Sequence, residues 1–305
     1  MLRHLLLYIL APLLGQNTDT DALRASIKTT PLLPVERIEL KANPPLKFEG
    51  ISAVAADQRG NIYVIHRPTN GDPVVVLDPK GNVLRSWGKG MYKTPHGIRI
   101  DPAGNVWTVD ANTSMVYKFT PEGKKLLEIS VGDVPDPSRE FCGATDVAFA
   151  RNGHLFVSDG YCNGRVLEYD ASGRKLHEWG KKGTAPGEFN TVHAIAIGPQ
   201  GEVYVADREN GRLQRFDQQG KFLGEWKYGG QLYNVAFGPA GELFVSTHSK
   251  GVSLDTEFNV VKIDSATGKM LARFEVRAHE LAVAPDGTLL PATRSEQLLL
   301  FRPRR

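Results

Sequence analysis

HAIAIGPQGEVYVADRENGRLQRFDQQGKFLGEW, residues 193–226, carries four short apolar runs, each ended by a turn. Ala194 to Ile197 and Val203 to Ala206 flank Gly201 and read as a hairpin. Leu213 to Phe216 and Phe222 to Trp226 follow as two further strands, separated by polar turn residues. Four strands in a unit of this length make one blade of a β-propeller.

The same plan recurs about every 40 to 50 residues along the chain. Its turn glycines are Gly60, Gly104, Gly153, Gly201, Gly241 and Gly287. Third strands are expected at Val74 to Leu77, Val116 to Phe119, Val166 to Tyr169, Val260 to Ile263 and Leu298 to Phe301. Fourth strands end in aromatic residues at Trp87, Trp179 and Phe274. The sixth repeat stops at Phe301 with no room for a fourth strand, while Val35 to Leu40 alternates apolar and polar residues ahead of the first repeat. Pairing that early strand with the last blade removes the exposed edges of an open array. The fold expected over residues 35–305 is therefore all-β, a six-bladed propeller whose last blade an N-terminal strand closes. A helical solenoid is excluded by the period-two patterning.

The 305 residues suffice for one large domain, and a net charge of +3 with both signs interspersed leaves no basic tract for nucleic acid. Met1 to Gln16 places Arg3 before an apolar run, Leu5 to Leu14, and then Gly15. That run is shorter than the roughly 20 residues a membrane span needs, so a signal peptide and a secreted or periplasmic protein are expected, although Leu13 departs from the small-residue cleavage rule. Residues 17–34, with Thr, Asp and Pro, read as a linker or wrapping arm with little order at its start. Cys142 and Cys162 are the two cysteines, either bridged or two buried thiols, and export favours the bridge.

Equivalent positions of a propeller lie at equivalent places around one axis. Eight residues before each turn glycine stand Ser52, His96, Thr145, His193, Tyr233 and His279, so histidine takes every second blade. Any one of them reads as an ordinary channel histidine. Three imidazoles converging from alternate blades are the ligand set of a metal with three protein nitrogens; zinc accepts these and keeps a fourth position open for water or substrate. In a hairpin the end of the second strand returns to the rim where the first began. Seven or eight residues after the glycines, that rim carries Arg67, Tyr161 and Arg208. Neighbouring guanidinium groups and a metal favour a phenolate that can act as a base, and an arginine can grip a carboxylate with two prongs. For Arg208, a simple ion pair with Asp207 or Glu209 is the structural reading. Asp110, Asp159 and Asp207 share a further register and read as strand caps; the other histidines share none and read as local hydrogen-bonding residues.

At these residues the chain resembles a known family. Tyr63-Val64-Ile65-His66-Arg67, Pro95-His96-Gly97, Val157-Ser158-Asp159-Gly160-Tyr161-Cys162-Asn163 and Ala206-Asp207-Arg208-Glu209-Asn210-Gly211-Arg212 are similar to the lyase domain of peptidylglycine α-amidating enzymes, from about Ser52 to Leu281. Propeller repeats of the NHL type share the Asp-Gly and turn pattern but need not carry these residues in order.

The resemblance implies a peptidylamidoglycolate lyase acting on a peptide or small molecule with a C-terminal carbinolamide, giving an amide and glyoxylate. It implies zinc on His96, His193 and His279, Tyr161 as base, Arg67 and Arg208 in the active site, and a Cys142–Cys162 bridge. It also implies calcium held by the backbone carbonyls of Val54 and Ile98 and by Glu280, where the family has aspartate. Tyr204 and Arg215 stand where the family has a second disulfide, and Arg277 where it has a methionine near zinc. This sequence holds no counterpart of the copper-dependent hydroxylating domain, so another source of carbinolamide is expected. A monomer without a membrane span is expected. The competing readings are a non-catalytic NHL-type propeller that binds a peptide, glycan or protein, and a metal-dependent propeller hydrolase.

Overall fold

Each turn glycine adopts a left-handed backbone, with φ between 78° and 94°, and its N–H bonds the carbonyl three residues back, as Gly104 does to Asp101 and Gly287 to Ala284. A residue with a Cβ is strained in that conformation, so glycine fixes where every inner hairpin turns.

The computed structural model describes residues 18–132, 134, 136 and 138–304, so the expected signal peptide at 1–16 lies outside the described residues. Six four-stranded antiparallel sheets form, covering residues 53–87, 95–130, 146–179, 192–227 and 231–275, with 280–303 joined by Val35–Leu40. Val35–Leu40 pairs with Leu298–Pro303 from Val35 opposite Pro303 to Leu40 opposite Leu298. The ring thus closes with the first strand of the chain on the outside of the last blade, as the sequence predicts.

The core is not one mass but six apolar clusters, each between adjacent blades. Val64, Val75 and Ile51 meet Leu290 and Leu298 across the closure, and Val109 and Val116 meet Val147 and Val157 between blades two and three. Both faces of the middle strands are buried, hence their continuous Val and Ile runs such as VVVL at Val74–Leu77. The outer strand Val83–Trp87 alternates half-buried and exposed positions because only one face is covered.

The arm departs from expectation, because Thr18–Thr29 is a helix where the sequence suggests little order. Asp19 and Asp21 lie at its positive end and Lys28 at its negative end. Leu23 and Ile27, one turn apart, face the cluster between blades four and five, and Leu23 is fully buried there. Arg24 pairs with Glu257 at 2.8 Å, and Arg273 of blade five donates to the Ile27 carbonyl at 2.8 Å. No helix among the described residues is long and apolar enough to cross a membrane.

Candidate active site

His96 lies in the innermost strand Pro95–Ile100 of blade two, and His193 in Val192–Ile197 of blade four. In both strands the pairing register skips the histidine, since Pro95 faces Asp110 and Gly97 faces Val109, while Val192 faces Asp207 and Ala194 faces Ala206. Each histidine is therefore the extra residue of a β-bulge, which turns its side chain out of the strand's alternation and toward the axis. His279 immediately precedes Glu280–Val283 of blade six, and its N–H bonds the Ala292 carbonyl.

The three rings meet. Their centroids are 4.8 to 5.2 Å apart, and one ring nitrogen of each lies within 4.8 Å of those of the other two. Each Nδ1 faces a backbone carbonyl: Thr145 for His96 at 2.7 Å, Tyr233 for His193 at 2.7 Å and Ser52 for His279 at 3.1 Å. Those acceptors are the residues at the same register in the next blade, so every histidine is oriented by its neighbour around the ring. A carbonyl requires the proton on Nδ1, which leaves the Nε2 lone pair free for a ligand. Burial pushes all three imidazoles well below their ordinary range, with nearby histidines and arginines adding to it, so they stand neutral. Neutral, converging and pre-oriented imidazoles fit zinc.

Tyr161 stands over this triad. Its hydroxyl is 2.8 Å from His96 Nε2 and 3.2 Å from His193 Nε2. Cys142 and Cys162 form a disulfide, which ties together the loops carrying Phe141 and Tyr161, whose rings are 5.1 Å apart. Burial raises the phenol above its ordinary range, and Arg208, Arg294 and Arg67 offset only part of that rise. Arg208 lies over Tyr161 at 5.6 Å and over Tyr233 at 5.2 Å, and pairs with Glu209 at 2.8 Å. Arg67 covers Phe141 at 5.0 Å, donates to the Pro95 carbonyl and Ser52 Oγ, and reaches Glu140 at 3.4 Å. Burial and the charge of Arg294 lower Arg67 to about 10. The structure thus brings Tyr161, Arg67 and Arg208 to one cup with the histidines.

Asp110 accepts the backbone N–H groups of Lys93 and Thr94 just ahead of His96, and Asp207 that of Asn190 just ahead of His193. These aspartates hold the loops that deliver the histidine strands.

Below the histidines, Glu280 Oε2 accepts from Arg99 at 2.9 Å and from Asn234, and Arg99 also binds Asp146 at 2.7 Å. Glu280 Oε1 and Asn234 Oδ1 are buried without a hydrogen-bond partner. Oxygen atoms of this kind match the donor preference of calcium. Arg99 already neutralises one of the two acids there, a fixed cation that the sequence reading did not foresee. Beyond it the channel opens into a cavity of about 300 Å³ lined by Ala55, Ala148, Ala236 and Ala282.

The NHL repeat pattern matches residues 141–169 and 189–216. The chain is 32% identical to peptidyl-alpha-hydroxyglycine alpha-amidating lyase 1 of Drosophila melanogaster, over 66% of this chain and 44% of that protein. It is 29% identical to the probable peptidyl-alpha-hydroxyglycine alpha-amidating lyase of Caenorhabditis elegans, over 81% of this chain and 80% of that one. The chain is thus similar to proteins named as amidating lyases, while spanning less than half of the Drosophila relative. It is also 29% identical to peptidyl-glycine alpha-amidating monooxygenase A of Xenopus laevis over 80% of its own length, but spans only 30% of that relative. Among solved structures, a streptogramin B lyase superposes on this chain with a TM-score of 0.63 at 12% identity, over 88% of this chain and 98% of the other, a likeness of fold.

Two residues at the cup went unread in the sequence. Phe141 gives no sequence signal. Arg294 does, since it stands seven residues after Gly287 as Arg67 does after Gly60 and Arg208 after Gly201.

Proposed function

We propose that this protein is a zinc-dependent carbon–nitrogen lyase that cleaves a C-terminal α-hydroxyglycine into a peptide amide and glyoxylate. The convergence of three neutral imidazoles with the Tyr161 hydroxyl carries the reading. His96, His193 and His279 would hold zinc, which when bound would supply a Lewis acid for the substrate's oxygen. Tyr161 as phenolate takes the proton of the carbinol hydroxyl; the carbonyl of glyoxylate forms, the C–N bond breaks, and its electron pair goes to the amide nitrogen. The proton then passes from Tyr161 to that nitrogen, so atoms and charge balance. Arg67 favours the phenolate, Arg208 faces the substrate carboxylate, and the disulfide fixes the loop on which Tyr161 rides.

Calcium would take Glu280 with the carbonyls of Val54 and Ile98, beneath the reacting centre. The bridge and the apolar leader support export to a secreted or periplasmic location, where the chain acts as a monomer on a peptide or small carbinolamide. The test is glyoxylate release from an α-hydroxyglycine compound, together with the zinc content of native protein and of His193→Ala. Release that stops with chelator and returns with zinc, and stoichiometric zinc lost in the variant, are expected. Full activity in zinc-free protein overturns the metal's role.

A further inference from the structure

Arg67, Arg208 and Arg294 occupy one position in blades one, four and six. In blades one and six the correspondence extends to the backbone. Ser52 N–H bonds the Ile65 carbonyl two residues before Arg67, and His279 N–H bonds the Ala292 carbonyl two residues before Arg294. Arg294 therefore leaves its hairpin at the rim of the histidine cup. Its own N–H bonds the Ile51 carbonyl, and the Ser295 carbonyl receives Ile51 N–H, so the segment is tied to blade one. Its backbone is left-handed, with φ of 59°, a conformation that an arginine keeps only when its surroundings impose it.

The three guanidinium groups differ in what they face. Arg67 has Glu140, and Arg208 has Glu209. Arg277, on the same side, has Asp255 at 2.7 Å. Among the described residues no acidic group lies within ion-pair distance of Arg294, Glu140 attracting it only from farther away, and its Nη1 is buried without an acceptor. A buried charged donor left unpaired costs more than the bond it could make returns elsewhere, so the cup is built for an anion that arrives from outside. Its charge reaches Tyr161, Tyr233 and all three histidines, which sets it beside the reacting centre rather than on the outer surface.

We infer that Arg294 is a carboxylate-holding residue of this cup, closing with Arg208 from the far side on the carboxylate attached to the reacting carbon. The inference rests on the lyase reading for the identity of the ligand and deepens it. It makes the acid group of the substrate, rather than the peptide before it, the main handle. Substrates whose carboxylate is masked as an ester or amide should be rejected.

Calorimetric binding of hippurate, an unreactive N-acylglycine, and of its carboxamide, to the full purified chain tests this. Arg294→Met should weaken hippurate binding about 10- to 100-fold, the range for a charge-assisted contact, while leaving binding of the carboxamide unchanged. Arg294→Lys should recover part of the loss. Arg294→Gly, which suits the backbone at this φ, serves if the Met variant does not fold. Hippurate bound equally by wild type and Arg294→Met, or no hippurate binding by wild type, or equal weakening of both ligands, overturns the inference. Glyoxylate release is scored separately. A chain that discriminates hippurate from its amide through Arg294 yet releases no glyoxylate keeps the carboxylate subsite and loses the lyase chemistry.

Discussion

Lowering the pH from 7.5 to 6.0 should leave the zinc affinity of this protein almost unchanged. A zinc site needs its imidazoles unprotonated. With an ordinary histidine pKa of about 6.5, roughly a quarter of each ring would be neutral at pH 6.0, so three independent rings would cost about 50-fold in affinity relative to pH 7.5. Here burial first, and then neighbouring positive groups, place the folded pKa of His96, His193 and His279 well below that value. The direction matters, because a lowered pKa means that the proton has already gone at pH 6.0 and zinc displaces none. The Nδ1 contacts to Thr145, Tyr233 and Ser52 act in the same sense by fixing which nitrogen keeps its hydrogen. A change of less than about 3-fold is expected, measured by competition with a chelator whose own protonation is known. A fall near 50-fold, with proton release rising toward three per zinc, would refute the reasoning, since it would mean that the triad is hydrated and titrates freely.

Three other outcomes follow from the same geometry. Tyr161→Phe removes the hydroxyl that touches two imidazoles, so glyoxylate release should fall by about 10²- to 10⁴-fold with zinc retained; near-normal release removes Tyr161 from the chemistry. Replacing Cys142 and Cys162 together by serine frees a loop with a sequence separation of 20 and should cost about 3 kcal/mol in denaturant unfolding, with loss of activity ahead of loss of fold. Arg99→Met leaves Asp146 and Glu280 without their shared cation and should destabilise the protein by about 3–5 kcal/mol; a loss below about 1 kcal/mol would show that the pair is hydrated.

The repeat was legible because glycine is forced where the backbone turns left-handed, and because the strands between blades are apolar on both faces. Those constraints put the histidines at one offset and the closing strand at the chain's start. The bulges at His96 and His193 were not legible, since an inserted residue that pairs with nothing leaves no mark in an alternating pattern; a similar skip occurs at Tyr233. The helix Thr18–Thr29 hid behind turn-forming Thr and Asp residues, and its stability comes from docking Leu23 rather than from local preference. Arg99 resembled an ordinary inner-strand residue until the ring set it against acids from two other blades.

The contact from His279 to the Ser52 carbonyl bridges the one seam of the ring at which the chain's two ends are zipped together. An ion gripped by the triad would therefore act as a latch on that seam. Peeling Val35–Leu40 from the rim should loosen the grip at the hub, and loading the hub should hold the two ends of the polypeptide shut.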